Sequence, residues 1–380
     1  MKTLEPTATE RRRKTRNRVF RYIYNSDEPV SKQAMSVDLN LSLPTIHHNV
    51  AELLEAGLIK AGETQSSTGG RPPVGYLVEN DVRFSIGISI TTNHIHFLAS
   101  DLKMNQLAEK SLRKDSTSAT DLGNEVRREL TLFIEENDLN KNRILGVGIT
   151  IPGVLNRPGD AVLLSPSMKL KNISLQSLRK ACEPYPVYIE NDGNCAGYAE
   201  WLAMSPRERK NGFVYILLEN GVGGAFFING KTYSGMNHRS GEFGHMCVQP
   251  DGLMCNCGKR GCLEAYCSAL RFSADIGKTI EEFFDLVHKG DPASQALWND
   301  VLRHLAIGIG NIRMIFDCDI VLGGFVSEYL KEYMPELKKY VVEMNSFGDD
   351  TDFVKLGKFP RKAGLMGIAW HFANDYIEKI

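Results

Sequence analysis

An α/β fold is predicted for most of this 380-residue chain, preceded by a small winged helix-turn-helix module. Two observations predict the α/β body. Short apolar runs with strand alternation recur from Phe84 onward. Glycine or polar turns repeatedly follow their C-terminal ends, where α/β proteins collect ligands. A third observation predicts the front module: three short amphipathic helices, then two strand-like runs flanking a polar, glycine-rich loop. A chain of this length exceeds one ordinary core, so two or three domains are expected, divided as residues 1–80 and 81–380.

Caps and helical spacing define the front module. A first helix, about 15–25, buries Val19, Phe20 and Ile23. A second opens at the N-cap Ser31, carries Ala34, Met35 and Leu39, and ends in a tight turn at Asn40 and Leu41. The third is capped by Ser42, accepts Pro44 in its first turn and stops at Gly57. Its Ile46, Val50, Leu53 and Leu54 are assigned to one face, and Thr45, His48 and Asn49 to the opposite face. The latter is short-chained and hydrogen-bonding, as a helix that reads base edges in a major groove must be. Ser42, Thr45, His48 and Asn49 are the candidate DNA contacts. Strands over 58–60 and 76–78 enclose the loop, where Gly69, Gly70 and Arg71 would lay a guanidinium in a minor groove. Three helices alone would equally suit a protein-interaction domain. The wing and the basic run over 11–18 favour double-stranded DNA.

In the body, Phe84, Ile86, Ile88 and Ile90 alternate as a strand, a turn at Thr92 and Asn93 follows, and Ile95, Phe97 and Ala99 continue a hairpin. A helix spans about 121–137. Buried strands are expected over 144–149, ending at Pro152 and Gly153; over 187–189, before Glu190, Asn191 and Asp192; over 213–218, before Glu219, Asn220 and Gly221; and over 320–322, before Gly323 and Gly324. A helix begins at about Gly193.

Four residues carry the clearest chemistry. His245, Cys255, Cys257 and Cys262 lie within 18 residues, interleaved with Gly244, Gly258 and Gly261. Three thiols and one imidazole match a closed tetrahedral zinc site, and the glycines let the chain turn around so small an ion. With all four corners protein, no water position remains for hydrolysis, so the zinc is expected to be structural. Its loop draws Glu242 and Glu264 towards one place. The other cysteines, Cys182, Cys195, Cys247, Cys267 and Cys318, suggest no disulfide framework.

A hydrophobic content of 42% and a charged content of 24% are those of a soluble globular protein. No apolar leader and no bilayer-length stretch is visible, so the expected location is the cytoplasm, with no membrane partner. The net charge of −1 points to no polyanion by itself. Its distribution is more telling: residues 1–80 carry 11 Lys/Arg against 9 Asp/Glu, and the remainder 34 against 37.

The whole pattern resembles the ROK family of sugar kinases and sugar-responsive repressors, built on a two-lobed actin-like ATPase fold. The carriers are Gly-Glu242-Phe-Gly-His245, the run from Cys255 to Glu264, Ile-Pro-Gly153, and Glu-Asn191-Asp192-Gly-Asn194. The winged helix with its Gly-Gly-Arg-Pro loop resembles the repressor branch. The resemblance implies lobe one at about 81–190 plus the C-terminal helix, and lobe two at about 191–365. It also implies a sugar pocket of Gly153, Asn191, Asp192, Glu242, His245 and Glu264. In family kinases the aspartate matching Asp192 is the general base, so its presence alone would permit catalysis. The phosphate side departs from the kinase pattern. Where kinases carry Asp-x-Gly-Gly-Thr, this chain has Gly87-Ile-Ser89-Ile-Thr91-Thr-Asn93, and Asn220 stands where kinases tend to have threonine. The expectation is a sugar-responsive repressor without useful kinase activity. It would be a homodimer, or a tetramer built from one, binding operator DNA and a mono- or small oligosaccharide. The rival reading is an ATP-dependent sugar kinase with an accessory N-terminal domain.

Overall fold

The computed structural model describes residues 7–62, 74–116, 118–156, 159–205 and 207–380. Gly69, Gly70 and Arg71 lie outside the described residues.

Helix α1 (Ala8–Tyr24) starts well before Thr15, because Thr7 and Glu10 form a capping box that satisfies the first orphan amides. The basic run is therefore part of a helix face. Arg12 and Arg16 pair with Glu52, and Arg18 donates to the Leu39 carbonyl at 2.8 Å. β1 (Val30–Ser31), α2 (Lys32–Leu39), α3 (Leu43–Glu55), β2 (Ile59–Ala61) and β3 (Gly75–Val78) complete the module. The strands pair in the order β1-β3-β2, with β2 and β3 antiparallel. Val19, Phe20, Ile23, Met35, Ile46, Val50 and Leu53 are fully buried. Leu54, expected on the buried face, is 39% exposed. The apolar stripe of α3 is already complete at 46, 50 and 53, which leaves position 54 at its edge.

Two five-stranded sheets follow. β4 (Phe84–Ile90), β5 (His94–Asp101) and β6 (Gln106–Arg113) form an antiparallel meander. After α4 (Ala119–Glu136), β7 (Ile144–Ile151) joins β4 in parallel. β8 (Val154–Leu155), β9 (Ala161–Ser165) and β10 (Leu170–Ser174) make a small separate sheet. After α5 (Gln176–Ala181), β11 (Val187–Asn191) lies parallel to β7. Helix α6 (Asp192–Ala203) leads to the second sheet, where β12 (Phe213–Leu218), β13 (Val222–Ile228) and β14 (Lys231–Thr232) again form a meander. Helices α7 (Leu263–Cys267), α8 (Leu270–Ile276), α9 (Ile280–His288) and α10 (Pro292–Phe316) precede β15 (Asp319–Gly323), parallel to β12. After α11 (Ser327–Met344), β16 (Val354–Leu356) pairs in parallel with β15, and α12 (Ala363–Lys379) closes the described chain.

The sheet orders are β6-β5-β4-β7-β11 and β14-β13-β12-β15-β16. Each is a meander with two parallel strands added on the side of its first strand. The same topology is thus folded twice, giving the two-lobed actin-like arrangement of a mixed α/β protein. The C-terminal ends of β7, β11 and β12 carry Gly153, Asn191 and Glu219.

Helix α12 packs on β4, β5, β7 and α6. Trp370 is buried on it, and its Nε1 donates to Ser100 Oγ at 3.0 Å. The approach to α6 depends on Gly367, where a Cβ would lie 1.8 Å from the Cys195 carbonyl oxygen. Gly367→Ala must push the two helices apart and is expected to cost about 1–3 kcal/mol of stability in urea unfolding. An unchanged midpoint would show that the helices separate freely. At its other end, Ile377 and Ile380 enter the core of the front module beside Val19 and Phe20, and Arg16 Nε donates to the Ile380 carbonyl at 2.8 Å. No helix among the described residues is long and apolar enough to cross a membrane.

Candidate metal centre and ligand site

The ligand atoms of His245, Cys255, Cys257 and Cys262 all lie within 4.8 Å of one another. His245 comes from a single 3-10 turn, Phe243–His245, and the thiols from the hairpin that follows. The hairpin is closed by Val248 N–H to the Gly261 carbonyl and Cys255 N–H to the Lys259 carbonyl, each at 2.8 Å. Gly261 has φ +81°, and a Cβ there would lie 1.9 Å from the Gln249 carbonyl oxygen. Only glycine meets both demands. Cys257 Sγ is 3.7 Å from Cys262 Sγ, and Cys255 Sγ is 3.8 Å from His245 Nδ1. A tetrahedron with metal–sulfur bonds of about 2.3 Å has edges of roughly 3.8 Å. The cluster therefore has the dimensions and the donor chemistry of a closed zinc site. Cys247 is exposed and is not one of the four.

Around this cluster the acids gather. Glu264, in the first turn of α7, uses Oε2 to accept from Val222 N–H at 3.1 Å, while Oε1 lies 3.5 Å from Cys255 Sγ. It ties the hairpin to the start of β13. Glu242 is half-buried, and burial pushes its carboxyl up. His245 pulls it back down, and the charges of Asp192 and Glu264 raise it further. Asp192 opens α6 and accepts from Gly193 N–H at 2.9 Å, yet burial still raises its carboxyl. Asn191 caps α6, accepting from Asn194 N–H at 3.1 Å and donating to the Gly153 carbonyl at 3.0 Å. The structure thus brings Gly153, Asn191 and Asp192 together, and places Glu242 within electrostatic reach of Asp192 on one side and of His245 and Glu264 on the other. Much of the amide of Asn191 is spent on holding its neighbours.

Two residues were missed by sequence reasoning. Glu190 Oε1 accepts from Asn191 N–H at 2.8 Å and from Asn194 Nδ2 at 3.1 Å, and so orients the turn. Glu219, at the end of β12, faces Asp192. Burial first, and the Asp192 charge second, push its carboxyl up to about 8. The sequence signal for both was position alone: an acid at the carboxyl end of a buried strand.

On α3, Ser42 is the N-cap; its hydroxyl accepts from Thr45 N–H at 3.3 Å and meets Thr45 Oγ1 at 2.8 Å. His48 is exposed, with Nε2 3.4 Å from Glu52 Oε1. Asn49 is not on the exposed face: it is 3% exposed, and its Nδ2 donates back to the Thr45 carbonyl at 2.8 Å. Position 49 is three residues from Ile46 and so falls inside the apolar stripe. His47, exposed and 3.1 Å from Lys32 Nζ, takes its place on the open face.

Residues 85–375 match the ROK family. A xylose repressor of Bacillus spizizenii is 27% identical over 307 residues, covering 78% of this chain and 78% of its own. Among solved structures, a ROK family transcriptional regulator, a homologue of the E. coli MLC protein, superposes with a TM-score of 0.76 at 22% identity, covering 97% of each chain. A ROK family glucokinase from Streptomyces griseus, in complex with glucose and AMPPNP, gives 0.64 at 22% identity over 75% of this chain and 98% of its own.

Proposed function

This chain belongs to the ROK family, and we propose that it is a sugar-responsive transcriptional repressor whose effector site is braced by structural zinc. The observation that carries this reading is the union, on one chain, of a winged helix-turn-helix with a ring of acids beside a His/Cys3 cluster. The similarity to a xylose repressor supports it. Its division is residues 1–80 for DNA and 81–380 for sugar, with lobe one over about 81–190 plus the C-terminal helix and lobe two over about 191–365. It works as a cytoplasmic homodimer, or a tetramer built from one, because two winged helices related by a two-fold axis would grip paired half-sites.

His245, Cys255, Cys257 and Cys262 hold the zinc, which supplies a rigid fold to the segment between Glu242 and Glu264. A monosaccharide presents hydroxyls that donate and accept, and carboxylates accept from pairs of them. Asp192 and Glu242 take that role, with Glu264 using its remaining lone pairs. His245, with one ring nitrogen on the metal, would offer its other N–H to a sugar oxygen. Asn191 and Gly153 shape the wall between them. Sugar bound here would favour one arrangement of the lobes and so change the hold on operator DNA, with the reciprocal effect that linkage requires.

Transfer of phosphate is disfavoured by the residues at the nucleotide side. The β4–β5 turn lacks the acid and glycine pair of kinases, and Asn220 replaces a hydroxyl residue. The test is a titration of candidate sugars into a labelled operator duplex, beside a coupled assay for ATP-dependent sugar phosphorylation. At least one sugar should shift duplex affinity by roughly 5- to 150-fold. Sugar binding with no shift removes the repressor reading, and turnover at ordinary kinase rates selects the rival.

On the DNA side, Ser42, Thr45, His47 and His48 present the reading edge of α3, with Arg71 as the candidate wing contact. Thr45→Ala should alter preference at one base pair by about 1–3 kcal/mol in a binding-site selection. Asn49→Ala should instead lower the melting temperature and leave base preference untouched. If Asn49→Ala changed base preference at full stability, α3 would dock through a different face.

A further inference from the structure

Between the front module and the body lies a hollow of about 190 Å³ that brings two arginines together. Arg21, Tyr24 and Asn25 line it from α1 and its C-cap, Arg209 from the segment after α6, and Asn374 from α12. The Arg209 guanidinium stacks over Trp201, with its carbon 4.7 Å from the ring centroid, and its Nη2 donates to the Leu202 carbonyl. Its Nε is buried without a hydrogen-bond partner, and Arg209 has no ion pair among the described residues. Arg21 Nε donates to Asn17 Oδ1 at 2.9 Å, and its Nη2 pairs with Glu378, whose side chain is 59% exposed at the rim. Burial and the Arg21 charge both pull the pKa of Arg209 down. Glu378 offsets the charge of Arg21, but no carboxylate among the described residues joins Arg209, and a second cation in a half-buried hollow is costly unless an anion comes to it.

We propose that this hollow binds a small phosphate monoester, gripped by Arg21 and Arg209, with Asn25 and Asn374 on its organic part. The planar guanidinium fork matches phosphate oxygens two at a time, and a dianion balances two converging forks better than a single carboxylate does. The two amides supply donors and acceptors for hydroxyls. The site is distinct from the acids around Asp192, since the two lie at opposite ends of α6, about 15 Å apart along the helix. Its occupant would bridge the DNA-reading module to the body.

The full-length protein is titrated with inorganic phosphate and with a hexose 6-phosphate, against chloride at matched ionic strength, by calorimetry and thermal shift. Binding to the folded state raises the melting temperature. The expected result is a rise with at least one phosphate, and roughly tenfold weaker binding in Arg209→Gln, the loss that follows from removing a charge-assisted hydrogen bond. Asn374→Leu, which keeps both cations, should weaken the hexose phosphate more than inorganic phosphate. Equal sensitivity of the two would overturn the monoester reading, because Asn374 would then make no contact with an organic part. Melting in chloride reports whether each variant is folded, and if Arg209→Gln is not, Asn374→Leu carries the comparison. No rise in the wild-type protein, or affinities in the folded variants equal to those of the wild-type protein, overturns the proposal.

Discussion

Cys257→Ser is expected to lose the metal, abolish the response to sugar, and leave the front module folded and able to bind operator. The four ligand atoms crowd within 4.8 Å, and without a cation three sulfurs and an imidazole at that spacing have little to hold them. Metal binding is folding free energy for such a loop, of order 10 kcal/mol in isolated zinc modules. Losing it should disorder the segment that positions Glu242, His245 and Glu264. Sugar affinity should fall by roughly 100-fold or more, beyond the tenfold to hundredfold effects of changes one shell further out. The front module has its own core, centred on Phe20, Ile46 and Val50, and does not share that loop. Metal content, sugar calorimetry and an operator shift assay on the same preparation separate these effects. A metal-free protein that still answered sugar normally would break the link between the two sites.

Glu219→Gln is expected to stabilise the protein in alkaline solution and to flatten its stability profile. The carboxyl of Glu219 titrates near 8 in the folded chain against an ordinary 4.5. Between those values the folded state holds a proton that the unfolded state has lost. Stability therefore falls as pH rises through that window, by up to about 1.4 kcal/mol per unit. Above pH 8 the folded protein carries the whole penalty of a buried charge facing Asp192. The amide keeps the shape and removes the charge. At pH 9 the variant should exceed the wild-type protein by about 2–4 kcal/mol in denaturant unfolding, and near pH 4 the two should coincide. Burial likewise raises Asp192 and Glu242, so some alkaline destabilisation will remain. Parallel profiles for the two proteins would mean that Glu219 is ionised and solvated at neutral pH.

What could be read from the sequence follows from how local each signal is. The metal ligands lie within 18 residues, and their chemistry admits few other arrangements. The caps at Ser31 and Ser42 are written in one side chain each. The start of α1 was equally local, in Thr7 and Glu10, but the basic run drew attention away from it. Asn49 was misplaced because its chemistry outweighed its spacing: positions 46, 49, 50 and 53 form one stripe whatever their polarity. The structural duty of Asn191 needed the Gly153 carbonyl, 38 residues away. The charge state of Glu219 needed Asp192 and a roof of packed chain, neither visible from its neighbours. The doubled sheet order leaves no readable repeat, because hydrogen-bond topology constrains backbone direction and not residue identity.

Helix α12 spans 17 residues, or about 25 Å. One end is wedged on α6 through Gly367 and Cys195, a single turn from Asp192, and the other is keyed into the front module by Ile377 and Ile380. A stiff rod seated firmly at both ends does not absorb movement; it relays it as a lever. A fraction of an ångström of tilt at the acid-bearing end would then be expected to displace the far end at the front module, which carries α3.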